Sequence, residues 1–134
     1  VKTTYLGDLR TENIHIQSGN KIITDAPCDN RGKGEAFSPT DLLATALGNC
    51  IMTIMGIKAR DIDIDLTGTS IDITKIMKQE PRRVGGIQVV FHFPETLRTD
   101  DKQKAILERA AITCPVAKSI HPDIELDIRF LWHD

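Results

Sequence analysis

Apolar and polar residues alternate along much of this chain, the two-residue period of strands buried on one face. Residues 2–7 (KTTYLG) and 11–17 (TENIHIQ) predict strands, and in the second Ile14 and Ile16 stand between polar neighbours. Ser18-Gly19-Asn20 is a hairpin signal, and 21–26 (KIITDA) predicts a third strand. Residues 26–36 carry Pro, Asn and two Gly and predict a loop. The pattern then changes. Ser38 fits a helix N-cap, Pro39 the first helical position, and Asp41 the acidic partner of a capping box. From Leu42 the chain is apolar on more than one face, so this helix is expected to be buried nearly all round and to run to about Ile57 or a little beyond.

Alternation returns in 61–77 (DIDIDLTGTSIDITKIM), which predicts a long strand, and in 82–94 (RRVGGIQVVFHFP), with Val84, Gly85 and Gly86 at the turn between them. Residues 99–112 predict an amphipathic helix capped by Thr99, with Ile106, Leu107, Ala110 and Ala111 as its stripe. Pro115 opens a second, short helix to about Ile120, closed by His121-Pro122, and 124–132 (IELDIRFLW) predicts a last strand. Strands in runs separated by helices indicate an α+β fold with mainly antiparallel pairing.

Length and composition narrow this further. A chain of 134 residues, 40% apolar and 27% charged, is expected to be a single domain, 1–134. Seventeen basic and nineteen acidic side chains, with 4% aromatics, offer no nucleic-acid surface. The apolar run at 42–57 is broken by Thr45, Gly48, Asn49 and Thr53, so it reads as too polar for a membrane span, and no signal peptide opens the chain. Three cysteines are an odd number, which favours a reducing compartment such as the cytoplasm.

The cysteines carry the candidate chemistry. Cys50 has Leu43, Ala46, Leu47, Thr53 and Ile54 at helical spacing. Its bland reading is a small buried thiol kept inert because burial raises its pKa. Reactivity would need a cation brought in from elsewhere. Cys114 precedes Pro115 at the start of the short helix, where backbone N–H groups favour a thiolate; a cap chosen for size is the plainer alternative. Cys28 reads as incidental. The spacings form neither CxxC nor a zinc pattern, the four histidines are scattered, and Gly32 and Gly34 form no phosphate loop. His121, seven residues after Cys114, is a weak candidate for a Cys–His pair. The residues alone therefore reach two cysteines, one central and one at a helix start, as a candidate redox pair.

The stretches FSPTDLLATALGNC (37–50) and AAITCPVAKSIHPDIELD (110–127), with YLGDLRTENIHIQSGNKIITDAP (5–27) upstream, resemble the OsmC/Ohr family of thiol peroxidases over essentially the whole chain. The resemblance implies antiparallel sheets wrapped around a long buried central helix, an intertwined homodimer, and two active sites at the subunit interface. It implies Cys50 as the peroxidatic cysteine, Cys114 as the resolving cysteine, and Arg10 as the arginine that holds the thiolate, with Arg31 second. It implies organic hydroperoxides as substrates, a dithiol reductant, often lipoyl-linked, and no cofactor or metal. An apolar wall around Cys50 would hold an alkyl chain while the thiolate attacks the O–O bond, and the sulfenic acid would condense with Cys114.

One position departs from the pattern. Hydroperoxide-resistance members carry a glutamate ten residues before the reactive cysteine, clamping the arginine. Thr40 stands there in this chain, with Glu35 as a substitute, so Arg10 is expected to be held less firmly. The missing glutamate keeps open a non-catalytic dimer that binds an apolar ligand. A sulfur-transfer or thiol-acylating enzyme using Cys50 alone is a third, weaker reading.

Overall fold

The computed structural model describes residues 1–133, which form two compact units, 1–43 and 44–133. The first is a three-stranded antiparallel sheet of β1 (Lys2–Gly7), β2 (Arg10–Ile14) and β3 (Lys21–Asp25), in that order. Asp8 and Leu9, with φ of 51° and 64°, make the two-residue turn whose twist matches a hairpin. β2 ends three residues before the expected Gln17. His15 donates its N–H to Asn20 O at 2.8 Å and accepts from Gly19 N at 2.7 Å, so the turn itself consumes residues 15–20.

The loop 26–36 folds back on β3. Asp25 N donates to Phe37 O at 2.9 Å, and Gly34 N to Ala26 O at 3.1 Å. Gly34 sits at φ +63°, and a Cβ there would also press on the Cys28 sulfur. At the end of this unit the capping box forms as expected. Ser38 Oγ accepts from Asp41 N and Asp41 Oδ2 accepts from Ser38 N, both at 3.0 Å.

Helix α1 (Pro39–Asp61) continues into the second unit. Its buried residues there are Ala44, Leu47, Gly48, Ile51, Met55 and Ala59, a single stripe at helical spacing. The expectation of burial nearly all round is corrected: within one chain the remaining apolar positions stay partly open, and Ile57 is 55% exposed. By length and composition alone α1 is apolar enough to cross a bilayer, contrary to the expectation drawn from its polar residues. Its polar side chains are spent on its own backbone. Asn49 Nδ2 donates to Thr45 O at 2.9 Å and Thr53 Oγ1 to Asn49 O at 2.8 Å. Length and apolarity also describe a core helix, and the buried stripe gives α1 that role here.

The expected strand over 61–77 forms only in its second half, β4 (Ser70–Lys78). Before it, Ile64 N still reaches Ala59 O, Asp63 takes φ 57°, and Asp65 Oδ1 accepts from Thr67 N at 2.9 Å. Local aspartate turns win over the alternating pattern. β5 (Arg83–His92) pairs antiparallel with β4 and parallel with β6 (Glu125–Leu131), so the second sheet is ordered β4-β5-β6. Gly85 and Gly86 lie inside β5, not at the turn. The register skips from Ile76↔Gly86 to Met77↔Val84, which makes Gly85 a bulge, and the Lys78 side chain lies where its Cβ would be.

The β5–β6 crossover holds α2 (Asp101–Ala111) and α3 (Pro115–Ser119). The cap of α2 is Asp100, not Thr99. Asp100 Oδ1 accepts from Gln103 N at 2.7 Å while Gln103 Oε1 accepts from Asp100 N at 2.9 Å, which only a residue three before Gln103 can do. The core of this unit is filled by Leu47, Ile51 and Met55 of α1, Ile87, Val89 and Phe91 of β5, and Leu107 and Ala111 of α2.

Candidate active site

Two of the three cysteines meet in the second unit. Cys50 lies midway along α1, one residue before the buried Ile51, and its side chain reaches the surface in part. Cys114 is fully buried at the N-cap of α3, where Pro115 starts the helix. The Cys50 thiol lies close enough to act on Cys114 as a hydrogen-bonding neighbour. Burial is the main cause that pushes the Cys114 thiol up from its ordinary pKa, and the bond to Cys50 adds to it. The amides of Val116 and Ala117 pull the other way. Cys114 is thus a protonated thiol at neutral pH, held against the sulfur of Cys50. The helix-start argument found the amides but underestimated burial, which a 0% exposed side chain makes the larger effect.

Arg10 is placed in the first unit, and the structure supplies a clamp that sequence reasoning missed. Its Nε and a terminal nitrogen reach the two oxygens of Asp25 at 3.3 and 2.9 Å, a bidentate pair. Asp25 is 1% exposed and also accepts from Glu35 N at 3.0 Å. The Glu35 carboxylate adds a longer contact to Arg10 at 3.7 Å. The Arg10 hydrogen bond, then the Glu35 amide, hold the Asp25 carboxyl below its usual pKa against the opposing effect of burial. Arg10 is raised in turn, chiefly by its hydrogen bond to Asp25. The expectation of a loosely held Arg10 is therefore corrected. Thr40 does not leave the guanidinium without a carboxylate, because Asp25 takes that place and Glu35 assists mainly through its backbone. The six-residue turn at 15–20 sets Arg10 directly opposite Asp25 in the β2–β3 register, a pairing that the shorter hairpin signal at 18–20 does not give.

The remaining candidates lie elsewhere. Cys28 is exposed in the loop, its sulfur 3.5 Å from Lys33 O. Arg31 is exposed at φ +67° after a short 3-10 turn. His121 accepts from Asp123 N at 3.0 Å and is not among the groups acting on Cys114. Among the described residues, no cluster of three or more His, Cys, Asp or Glu is placed to hold a metal ion.

A groove of about 660 Å³ lies between α1 and α2, lined by Ile54, Ile57, Ile62, Ile106 and Ala110, with Lys58 and Arg109 among its polar residues. Neither cysteine lines it, although Ile54 is one turn after Cys50 and Thr113, also in its lining, precedes Cys114 in the chain.

Comparison with known proteins bears on the family and the fold. The model of the OsmC-like protein family matches residues 32–129. No curated protein is significantly similar. Among solved structures, a Psychrobacter arcticus protein provisionally described as an osmotic stress induced and detoxification response protein is 57% identical, with 97% of this chain and 93% of that one covered and a TM-score of 0.92. An organic hydroperoxide resistance protein OsmC from Legionella pneumophila shares the fold at 17% identity, 98% coverage of both chains and a TM-score of 0.74. So does one from Vibrio cholerae, with captopril bound in one of its active sites, at 16% identity, 97% and 91% coverage and a TM-score of 0.72. The family match spans both cysteine motifs, and with the 57% identical structure it shows that the chain belongs to the OsmC-like protein family.

Proposed function

We propose that this protein is a thiol-dependent peroxidase that reduces organic hydroperoxides in oxidative-stress defence, with Cys50 as nucleophile and Cys114 as resolving cysteine. The observation that carries the reading is the contact between a partly exposed thiol and a fully buried one on separate helices. The Cys50 thiolate attacks the distal oxygen of ROOH; the O–O bond breaks and the alkoxide leaves with a proton as ROH. The Cys50 sulfenic acid then condenses with the Cys114 thiol, releasing water and forming a disulfide. An external dithiol, of the lipoyl kind, takes up the oxidation. The sum is ROOH plus dithiol giving ROH, water and a cyclic disulfide.

The apolar groove between α1 and α2 suits the alkyl part of such a substrate. Arg10 is assigned the activating role, and its bidentate lock on Asp25 leaves it ordered for that task. The active form is proposed to be a homodimer in the cytoplasm. In support, α1 leaves Ile57 55% exposed, and covering that open half stabilises by about 1 kcal/mol. The same groove favours the second reading, an apolar-ligand-binding protein without turnover.

Thiol titration separates the two in a Cys28→Ser background, which removes the exposed thiol. One equivalent of cumene hydroperoxide is expected to remove two thiols per chain, and dihydrolipoamide to restore both. No loss of thiols under those conditions leaves the binding reading.

A further inference from the structure

We infer that reduction enters this site through Cys50 alone: an external thiolate attacks the Cys50 sulfur of the Cys50–Cys114 disulfide, and Cys114 is always the sulfur that leaves. The inference deepens the peroxidase reading and rests on it for its physiological role. Its chemistry needs only the disulfide between two thiols already in contact.

Access decides the direction. In thiol–disulfide exchange the rate depends on which sulfur is attacked and whether the nucleophile can reach it. Cys114 is 0% exposed at the N-cap of α3, and Ala111, at the end of α2, is equally closed. Cys50 reaches the surface in part. Assembly with further chains can only cover surface, so Cys114 is closed to an external thiol in any oligomer. Whatever opening admits the hydroperoxide to Cys50 also admits the reductant there.

The step balances as follows. The reductant thiolate forms a bond to Cys50 Sγ, the Cys50–Cys114 bond breaks, and its electron pair goes to Cys114 Sγ beside the amides of Val116 and Ala117. The second thiol of the reductant then attacks the reductant sulfur of the mixed disulfide and releases Cys50. The dithiol loses two electrons and two protons, and the cysteine pair gains both. Burial makes Cys114 a reluctant leaving group, which slows the first step. The same burial lets the departed sulfur take up its proton and keep it, so it does not attack the mixed disulfide again.

The test uses Cys28→Ser protein oxidised with diamide, so that it does not depend on peroxide turnover. A pulse of 2-mercaptoethanol is quenched with acid while most of the protein is still oxidised, and the adduct is located by peptide mass mapping. The first-formed adduct is expected on Cys50 in roughly tenfold or greater excess over Cys114. An adduct on Cys114, comparable adducts on both, or no Cys50–Cys114 disulfide after diamide overturns the inference. Protein that gives the Cys50 adduct yet consumes no hydroperoxide keeps the inference and sinks the peroxidase reading.

Discussion

Cys50 and Cys114 are the same residue type in different surroundings, and those surroundings set their roles. Cys114 is closed and protonated, whereas Cys50 reaches the surface in part, which suits the proposed division of roles. Cys114→Ser is therefore expected to permit one oxidation and then stall, with Cys50 advancing to sulfinic acid, seen as a gain of two oxygens by intact mass. Steady turnover of that variant with a dithiol would remove the resolving role. In the Cys28→Ser/Cys114→Ser background, Arg10→Ala is expected to slow alkylation of Cys50 at pH 7 about 10-fold or more. An unchanged rate would transfer the activating role to another cation, with Arg31 next to test.

Asp25 adds a pH dependence. Its folded pKa is depressed below the ordinary 3.8, so its contribution to stability is present above that value. The contribution is lost as pH falls through the folded pKa. The urea midpoints of wild type and Asp25→Asn should differ at pH 6 and draw together as the pH falls below the ordinary 3.8. A constant difference across that range would mean the Arg10–Asp25 pair does not carry it.

At the scale of elements, α1 meets β4 closely enough that Gly48 is required. A Cβ at Gly48 would overlap Ile73 Cδ1 and come within 2.9 Å of Ile73 Cγ1. Overpacking of this kind costs about 1–3 kcal/mol, against a helix-propensity gain near 1 kcal/mol for Ala over Gly. Gly48→Ala is expected to destabilise by about 1 kcal/mol in urea unfolding. Ile73→Val removes the nearest atom and alone costs about 0.5–1.5 kcal/mol. The double variant should lose less than the sum of the two, because the closest overlap is removed and only the Cγ1 contact remains. Strict additivity would mean that Ile73 does not meet the new methyl group.

For the whole molecule, the open flank of α1 is the feature that points beyond one chain. A helix of 23 residues with a single buried stripe leaves apolar positions that a second copy would cover. Light scattering at micromolar concentration is expected to give a dimer mass, with an unfolding midpoint that rises with protein concentration. A monomer mass with a concentration-independent midpoint would return the flank to solvent or ligand.

The sequence by itself determined the features that local chemistry controls. Ser38 and Asp41 cap α1 because both groups lie within one turn, Pro115 starts α3 because proline has no N–H to lose there, and the Cys50 and Cys114 motifs identify the family. Where two local signals competed, pattern alone misled. Alternation in 61–66 lost to aspartate turns, and the glycines of β5 served a bulge instead of a turn. Only the tertiary structure decided the partners brought in from distant sequence. Asp25 reaches Arg10 through strand register, Cys114 reaches Cys50 across a separation of 64 residues, and β6 lies parallel to β5 because a two-helix crossover carries it there. Burial is likewise a property of the assembled fold. It left α1 covered on one stripe and made Cys114 the closed, protonated thiol, since the number of neighbours around a sulfur is set by what packs on it and not by the residues beside it in the chain.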